Sequence, residues 1–203
     1  GLLGPLAVQS TLDRLAREGV VFRNAFVTTP VCSPSRVGFL TGRYGSELGI
    51  TDWISPQEGA AGLGLPPGTP TWPAILRANG WRTALVGKWH LGRGPRSHPS
   101  AFGIDDFFGF LDGGNTPMDP TLEVGGREQA LKGSLPDLVT DEAIRFLGEG
   151  RDQPFALLLH FREPHFPYDP GPPFDTRFGP DAPLGRDERR DRRWYTEVNQ
   201  GRL

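Results

Sequence analysis

The chain is poor in cysteine, in net charge and in long apolar runs, and each shortage removes a class of protein. Cys32 is the single cysteine in 203 residues, so no intrachain disulfide framework holds the fold. Lys and Arg total 22 against 24 Asp and Glu, a net charge of −2. That balance argues against nucleic acid or a membrane surface as a partner recruited by bulk charge. No segment approaches the roughly 20 apolar residues that cross a bilayer. There is no internal repeat and no low-complexity tract. No methionine opens the chain, which starts Gly1-Leu2-Leu3-Gly4-Pro5 and stops at Gln200-Gly201-Arg202-Leu203; it reads as an internal piece of a longer protein.

Glycine (28) and proline (21) are abundant, and 36% of the residues are hydrophobic. The combination predicts a packed core carrying long ordered loops rather than a tight helical bundle. Ser10 can cap a helix over Thr11–Glu18, with Leu12, Leu15 and Ala16 on one face and Gly19 as the stop. Val20–Val27 alternates as a strand. A turn at Pro30 leads to Cys32, followed by a helix over Val37–Thr41. Residues 55–70 read as loop. Thr71 caps a helix with Pro73 in its first turn and Asn79-Gly80 at its end. Arg82–Val86 is a short strand running into Gly87, and Gly94–Pro99 is loop. Phe107-Phe108-Gly109-Phe110 is an aromatic cluster for the core or the floor of a site. Thr121–Val124 with Gly125-Gly126 predicts a hairpin. Thr140 caps a helix over Asp141–Gly148 with Ala143, Ile144 and Leu147 inward. Phe155–Phe161 has the continuous apolar character of a strand buried on both faces. Arg186–Arg193 is a mixed-charge run expected to be a solvated helical face.

Strands alternating with helices predict an α/β fold with a largely parallel central sheet flanked by helices. Three strand exits then carry chemically capable residues: Cys32, the Lys88/His90 pair, and His165. In open α/β sheets such exits form the site. A helix starting near Cys32 places Arg36 on the same face four residues on and sets backbone N–H groups against an anion at Cys32. Arg36 brings a permanent charge, and Lys88 brings a point charge suited to an oxyanion. His90 brings a proton shuttle near neutral pH, and lies one residue from Lys88 on the same side of an extended segment. His165, in Glu163-Pro164-His165-Phe166-Pro167, is presented by a proline-stiffened loop, with Glu163 a possible supporting partner. His160 is expected to satisfy a hydrogen bond in the core, His98 to shape its loop, and Asp105 and Asp106 to be structural. Gly87, Gly92 and Gly94 do not make a nucleotide-binding fingerprint.

The pentapeptide Cys32-Ser33-Pro34-Ser35-Arg36 has the Cys-x-Pro-x-Arg form. With Leu40-Thr41-Gly42-Arg43 behind it and Gly87-Lys88-Trp89-His90-Leu91-Gly92 further on, it resembles the type I, formylglycine-dependent sulfatases of the alkaline phosphatase-like superfamily. The resemblance runs from about Ser10 to Leu203 and implies that residues 1–203 are part of one catalytic domain, incomplete at both ends. It implies sulfate-ester hydrolysis in which a formylglycine-generating enzyme converts Cys32 into the nucleophile. Arg36 stabilises its ionised hydrate and Lys88 binds hydrate and sulfate. His90 takes the proton that triggers sulfate release, and His165 helps protonate the leaving oxygen. A calcium ion is implied, with converted Cys32 among its ligands. The family's acidic ligand pairs are not in the chain: residues 1–9 hold no acid. The fragment alone is therefore expected to be inactive. Sulfated carbohydrates or small sulfate esters are the implied substrates, in a periplasmic or secreted setting. Specificity is expected in the loops Ile54–Pro70, Gly94–Ala101 and Asp112–Lys132. Three rivals stay open: a formylglycine-dependent phosphonate or phosphodiester hydrolase, a non-catalytic binder of sulfated glycans, and a thiol hydrolase using His90 as base.

Overall fold

A computed structural model describes residues 10–150 and 152–165. Packing divides the chain into two units, one of residues 1–26 and 176–203 and the other Val27–Asp175. In the first, the described part is helix α1, Ser10–Glu18, followed by residues 19–26 without regular structure. The predicted strand Val20–Val27 does not form: Phe22 and Phe26 are exposed, and the segment joins no ladder among the described strands. Alternation alone does not make a strand, because its backbone groups need a paired neighbour. Leu12 and Leu15 of α1 are likewise more than half exposed. The Arg186–Arg193 prediction lies outside the described residues.

The second unit is built on β1, Arg82–Lys88, flanked by β2, Asp106–Phe110, and β5, Phe155–His160, both parallel to it. An antiparallel hairpin, β3 (Thr121–Val124) and β4 (Arg127–Ala130), extends the β2 side, giving the order β4-β3-β2-β1-β5. The sheet is thus mixed, parallel where it carries the predicted exits and antiparallel at the hairpin edge. The aromatic run Phe107–Phe110 lies in strand β2 and packs as expected into the core, with Phe110 buried and Phe107 and Phe108 against the two clusters.

Successive side chains of β1 leave opposite faces, and both faces are covered. Leu85 joins Val37 and Leu40 of helix α2 (Cys32–Thr41), together with Trp89, Phe102 and Leu158. Val86 joins Phe110, Leu122 and, from helix α5 (Leu135–Gly148), Leu135 and Val139. Between α2 and α5 lie α3, Pro56–Ala60, inside the stretch predicted as loop, and α4, Trp72–Ala78. Helix α3 rests on a capping box, Ser55 accepting from the Glu58 amide while Glu58 accepts from that of Ser55. Helix α4 starts as predicted: the Thr71 hydroxyl accepts from the Ala74 amide.

Helix α5 begins six residues before the predicted Asp141. Thr140 is not its cap; its hydroxyl donates to the Pro136 carbonyl within the helix. The inward stripe is Leu135, Val139, Ala143 and Phe146, while Ile144 is 61% and Leu147 53% exposed. Strand β5 is also less buried than predicted, with Phe155, Leu159 and Phe161 near 40% exposed, since it has one ladder, to β1, among the described strands.

Candidate active site

Cys32 opens α2, with Val31 as an extended cap residue that offers no side-chain cap and no acid in the first turn. The first-turn amides and helix dipole therefore face the Cys32 end without a competing carboxylate from the helix itself. Ser33 is buried, and its hydroxyl accepts from the Ile54 amide at 3.0 Å, tying the helix start to the following loop.

One turn on, Arg36 donates from Nη1 to the Lys88 carbonyl at 2.7 Å and lies 3.0 Å from Nδ1 of His160. Burial pulls its pKa down to about 10, partly opposed by the nearby Cys32, so it is still charged at neutral pH. Lys88, the last residue of β1, is 3% exposed and donates from Nζ to the Gly113 carbonyl. Its pKa falls to about 8: burial dominates, Cys32 opposes it, and Arg36 and Arg162 add positive charge.

Beyond β1 the backbone stays paired with the β2 side, through the Trp89 amide to Phe110 O and the His90 amide to Leu111 O. His90 has a φ of 59°, the left-handed region that costs a non-glycine residue about 1–3 kcal/mol and occurs at functional sites. The predicted extended geometry therefore ends at His90. Its imidazole is 2% exposed, with Nε2 at 2.8 Å from the Ile54 carbonyl. That contact requires the proton on Nε2 and leaves Nδ1 as an unprotonated lone pair, which has no hydrogen-bond partner among the described residues. Burial first, then Lys88, Arg36 and His165, lower the His90 pKa to about 4 against the Ile54 bond, so the ring is neutral. Gly113 packs on its edge, where a Cβ would strike the imidazole.

His165 follows β5 in a turn, its amide bonding the Arg162 carbonyl. A cavity of about 910 Å³ brings Cys32, His90 and His165 together, with Pro30, Trp53, Pro56, Asn115, Thr116 and Pro117 also in its wall. Arg36 and Lys88 are outside that wall, close enough to Cys32 to interact with it electrically. The Gly94–Ala101 loop is not in the wall either, whereas the other two predicted specificity loops contribute Pro56 and residues 113–117. Asp112, at the head of the latter, pairs with Arg93 at 2.9 Å, and Asn115 donates to the Thr121 carbonyl.

Other histidines and acids settle as scaffolding. His98 accepts from the Ser100 amide and pairs with Glu123. Asp105 bonds Thr83 and Arg77, and Asp106 takes a two-point bond from Arg82. Two residues were not singled out by sequence reasoning. Arg162, its side chain 1% exposed, pairs with Glu163 at 3.0 Å and adds to the positive charge around Lys88. Trp53 is half exposed in the cavity wall. The described residues do not fit a calcium ion: no group of three His, Cys, Asp or Glu side chains converges among them, and none of the cavity wall residues is a carboxylate. A hard cation needs several oxygen ligands, which the described residues do not bring together.

A histidine, a lysine and an arginine thus surround a cysteine at a helix start on the α/β sheet. The sulfatase family model matches residues 4–196, and the chain belongs to the sulfatase family. Similar curated proteins include N-acetylglucosamine-6-O-sulfatase of Bacteroides thetaiotaomicron, 34% identical over 83% of this chain and 28% of its own length. Human N-acetylgalactosamine-6-sulfatase is 31% identical over 80% of the chain and 36% of its length. Among solved structures, Ps i-CgsB in complex with k-i-k-neocarrahexaose superposes with a TM-score of 0.73 at 29% identity, over 78% of this chain and 40% of that one. BT4656 in complex with D-glucosamine-2-N,6-O-disulfate gives 0.67 at 32%, over 79% and 30%. The chain spans about a third of the length of these curated relatives.

Proposed function

We propose that the intact protein hydrolyses sulfate esters, with Cys32 converted to formylglycine as the nucleophile. The observation that carries this reading is the cavity joining Cys32, His90 and His165, with Arg36 and Lys88 close to Cys32. Formylglycine, as its hydrate, supplies two hydroxyls: one bonds the sulfur as the ester S–O bond breaks, and the other drives C–O cleavage that releases sulfate and restores the aldehyde.

Each side chain has a matching capacity. His165, on the exposed side of the cavity, delivers a proton to the departing alcohol oxygen. His90 is neutral, with Nδ1 unprotonated, and accepts the proton of the second hydroxyl; general base catalysis of this kind contributes typically 10²–10⁴-fold. Lys88 and Arg36 hold the negative charge that spreads over sulfate and nucleophile, with Arg162 adding to the field. The wall of Trp53, Pro56 and Pro117 offers an apolar surface to the alcohol portion. A carbohydrate sulfate is the class favoured by the names of the relatives. Calcium belongs to this reading with Cys32 as its ligand from the described residues and the others from outside them. Residues 1–203 are read as part of that catalytic domain, and alone they are expected to be inactive.

The test is mass spectrometry across Cys32 in full-length protein co-expressed with a formylglycine-generating enzyme, followed by aryl-sulfate turnover. Conversion with turnover, and loss of turnover in Cys32→Ala, is the expected result. An unmodified thiol under conditions that convert a control sulfatase sinks the proposal. Faster turnover of phosphate than of sulfate esters moves the assignment to the phosphodiester rival.

A further inference from the structure

We propose that His160 is a positioning residue that aims the Arg36 guanidinium at Cys32 by accepting a hydrogen bond at Nδ1. The inference rests on the role given to Arg36 above and assigns a task to a histidine outside the five site residues.

Three atoms crowd together: Arg36 Nη1 is 2.7 Å from the Lys88 carbonyl oxygen and 3.0 Å from His160 Nδ1, and that nitrogen is 3.1 Å from the same carbonyl. Nη1 carries two protons, one for each acceptor, provided Nδ1 keeps its lone pair. The opposite tautomer, with Nδ1–H donated to the carbonyl, would set a second proton against the guanidinium and leave Nη1 a single acceptor. The Nε2–H form is the one that gives both Nη1 protons an acceptor, and it leaves the 3.1 Å Nδ1–carbonyl contact without a proton between the two atoms. Both bonds leave one terminal nitrogen, Nη1, and together they fix where that nitrogen lies; Arg36 stands one helical turn from Cys32.

The ring itself is held. His160 pairs with Gly87 in the β1–β5 ladder, and Gly87, with a φ of 113°, lets the strands approach where a Cβ would strike the His160 carbonyl. Phe39 of α2 meets the imidazole edge-on at 6.0 Å. Burial, and then Arg36, push the His160 pKa down to about 4 against the contact with the Lys88 carbonyl, which keeps the acceptor unprotonated. A cationic ring there would repel Arg36.

The first experiment is long-range ¹H–¹⁵N NMR of the His160 ring in the full-length protein. The Nε2–H tautomer is expected, and an Nδ1–H tautomer overturns the proposal. The second compares two variants. His160→Asn places an acceptor oxygen near the Nδ1 position without the ring's bulk, whereas His160→Leu restores apolar bulk without an acceptor. His160→Leu should lower kcat for an aryl sulfate about 10–100-fold with KM little changed, the scale of a misaimed group. His160→Asn should stay within about threefold of the parent. Both must match the parent in Cys32 conversion and in folded circular dichroism. Leucine as active as histidine, or asparagine as poor as leucine, makes His160 a packing residue and ends the inference. Parent protein that converts Cys32 but turns over no sulfate ester refutes the functional reading instead, and the tautomer measurement still decides the hydrogen bond.

Discussion

His90 and Lys88 lie one residue apart, and burial drives both toward their neutral forms, the histidine to about 4 and the lysine to about 8. For the proposed chemistry the two shifts act in opposite directions. A proton acceptor works once it has lost its own proton, so activity rises as pH climbs through about 4. A lysine holding sulfate works only while charged, so activity falls as pH passes about 8. The kcat/KM profile of the converted full-length protein should be bell-shaped, with its alkaline limb at or below that of Lys88 in the unconverted chain because conversion removes the Cys32 charge that raises it. Lys88→Arg, which keeps its charge, should remove the alkaline limb; a limb persisting near 8 in that variant assigns it to another group. At this scale the sequence was informative where a motif fixed residue types at fixed spacing. Cys32, Arg36, Lys88, His90 and His165 were readable; Cys32, His90 and His165 share one cavity wall, and Arg36 and Lys88 lie outside it but close enough to Cys32 to interact with it electrically. Arg162, Trp53 and the clamp at His160 were not, because their surroundings come from residues distant in sequence. The left-handed His90 backbone likewise depends on Leu111 and Ile54.

The elements that were legible carried their own punctuation. Helix α4 has a capping threonine and an early proline, and the β3–β4 hairpin has Gly125-Gly126 at its turn. Strand β2 carries a glycine among its three phenylalanines. Gly109 is nonetheless suited there: it faces Gly87 across the ladder, where a Cβ would meet the Gly87 backbone. Helix α5 was misplaced because Thr140, a good cap residue, sits mid-helix. Two truncations test its corrected face by urea unfolding. Phe146→Ala should cost about 3–5 kcal/mol, whereas Ile144→Ala should cost under about 1 kcal/mol, as for an exposed helical site. Comparable losses at both positions would restore the sequence-based face.

Two neutral histidines, His90 buried and His160 half-buried, also bear on how the whole molecule responds to acid. The folded-state values of His90 and His160 lie near 4, below the roughly 6.5 of an unfolded chain. Between those values the unfolded chain binds more protons, so stability falls as pH drops from about 6.5 to about 4 and these residues add no further loss below that. Each contributes up to about 1.4 kcal/mol per pH unit across the window. Urea unfolding from pH 7.5 to 4 should show this slope, and His160→Asn should reduce it; a flat response would mean that neither ring is held neutral. The chain by itself determined the identity and spacing of the candidate site residues, and the alternation of helix and strand that makes an α/β sheet, because motif spacing and hydrophobic period are local properties. Only the tertiary structure decided which strands pair, which face of α5 is inward, that Val20–Val27 forms no strand, and that His160 reaches Arg36. Those outcomes depend on the ladders and close approaches of β1, where Gly87 admits β5, and on atoms brought together from residues up to 124 positions apart.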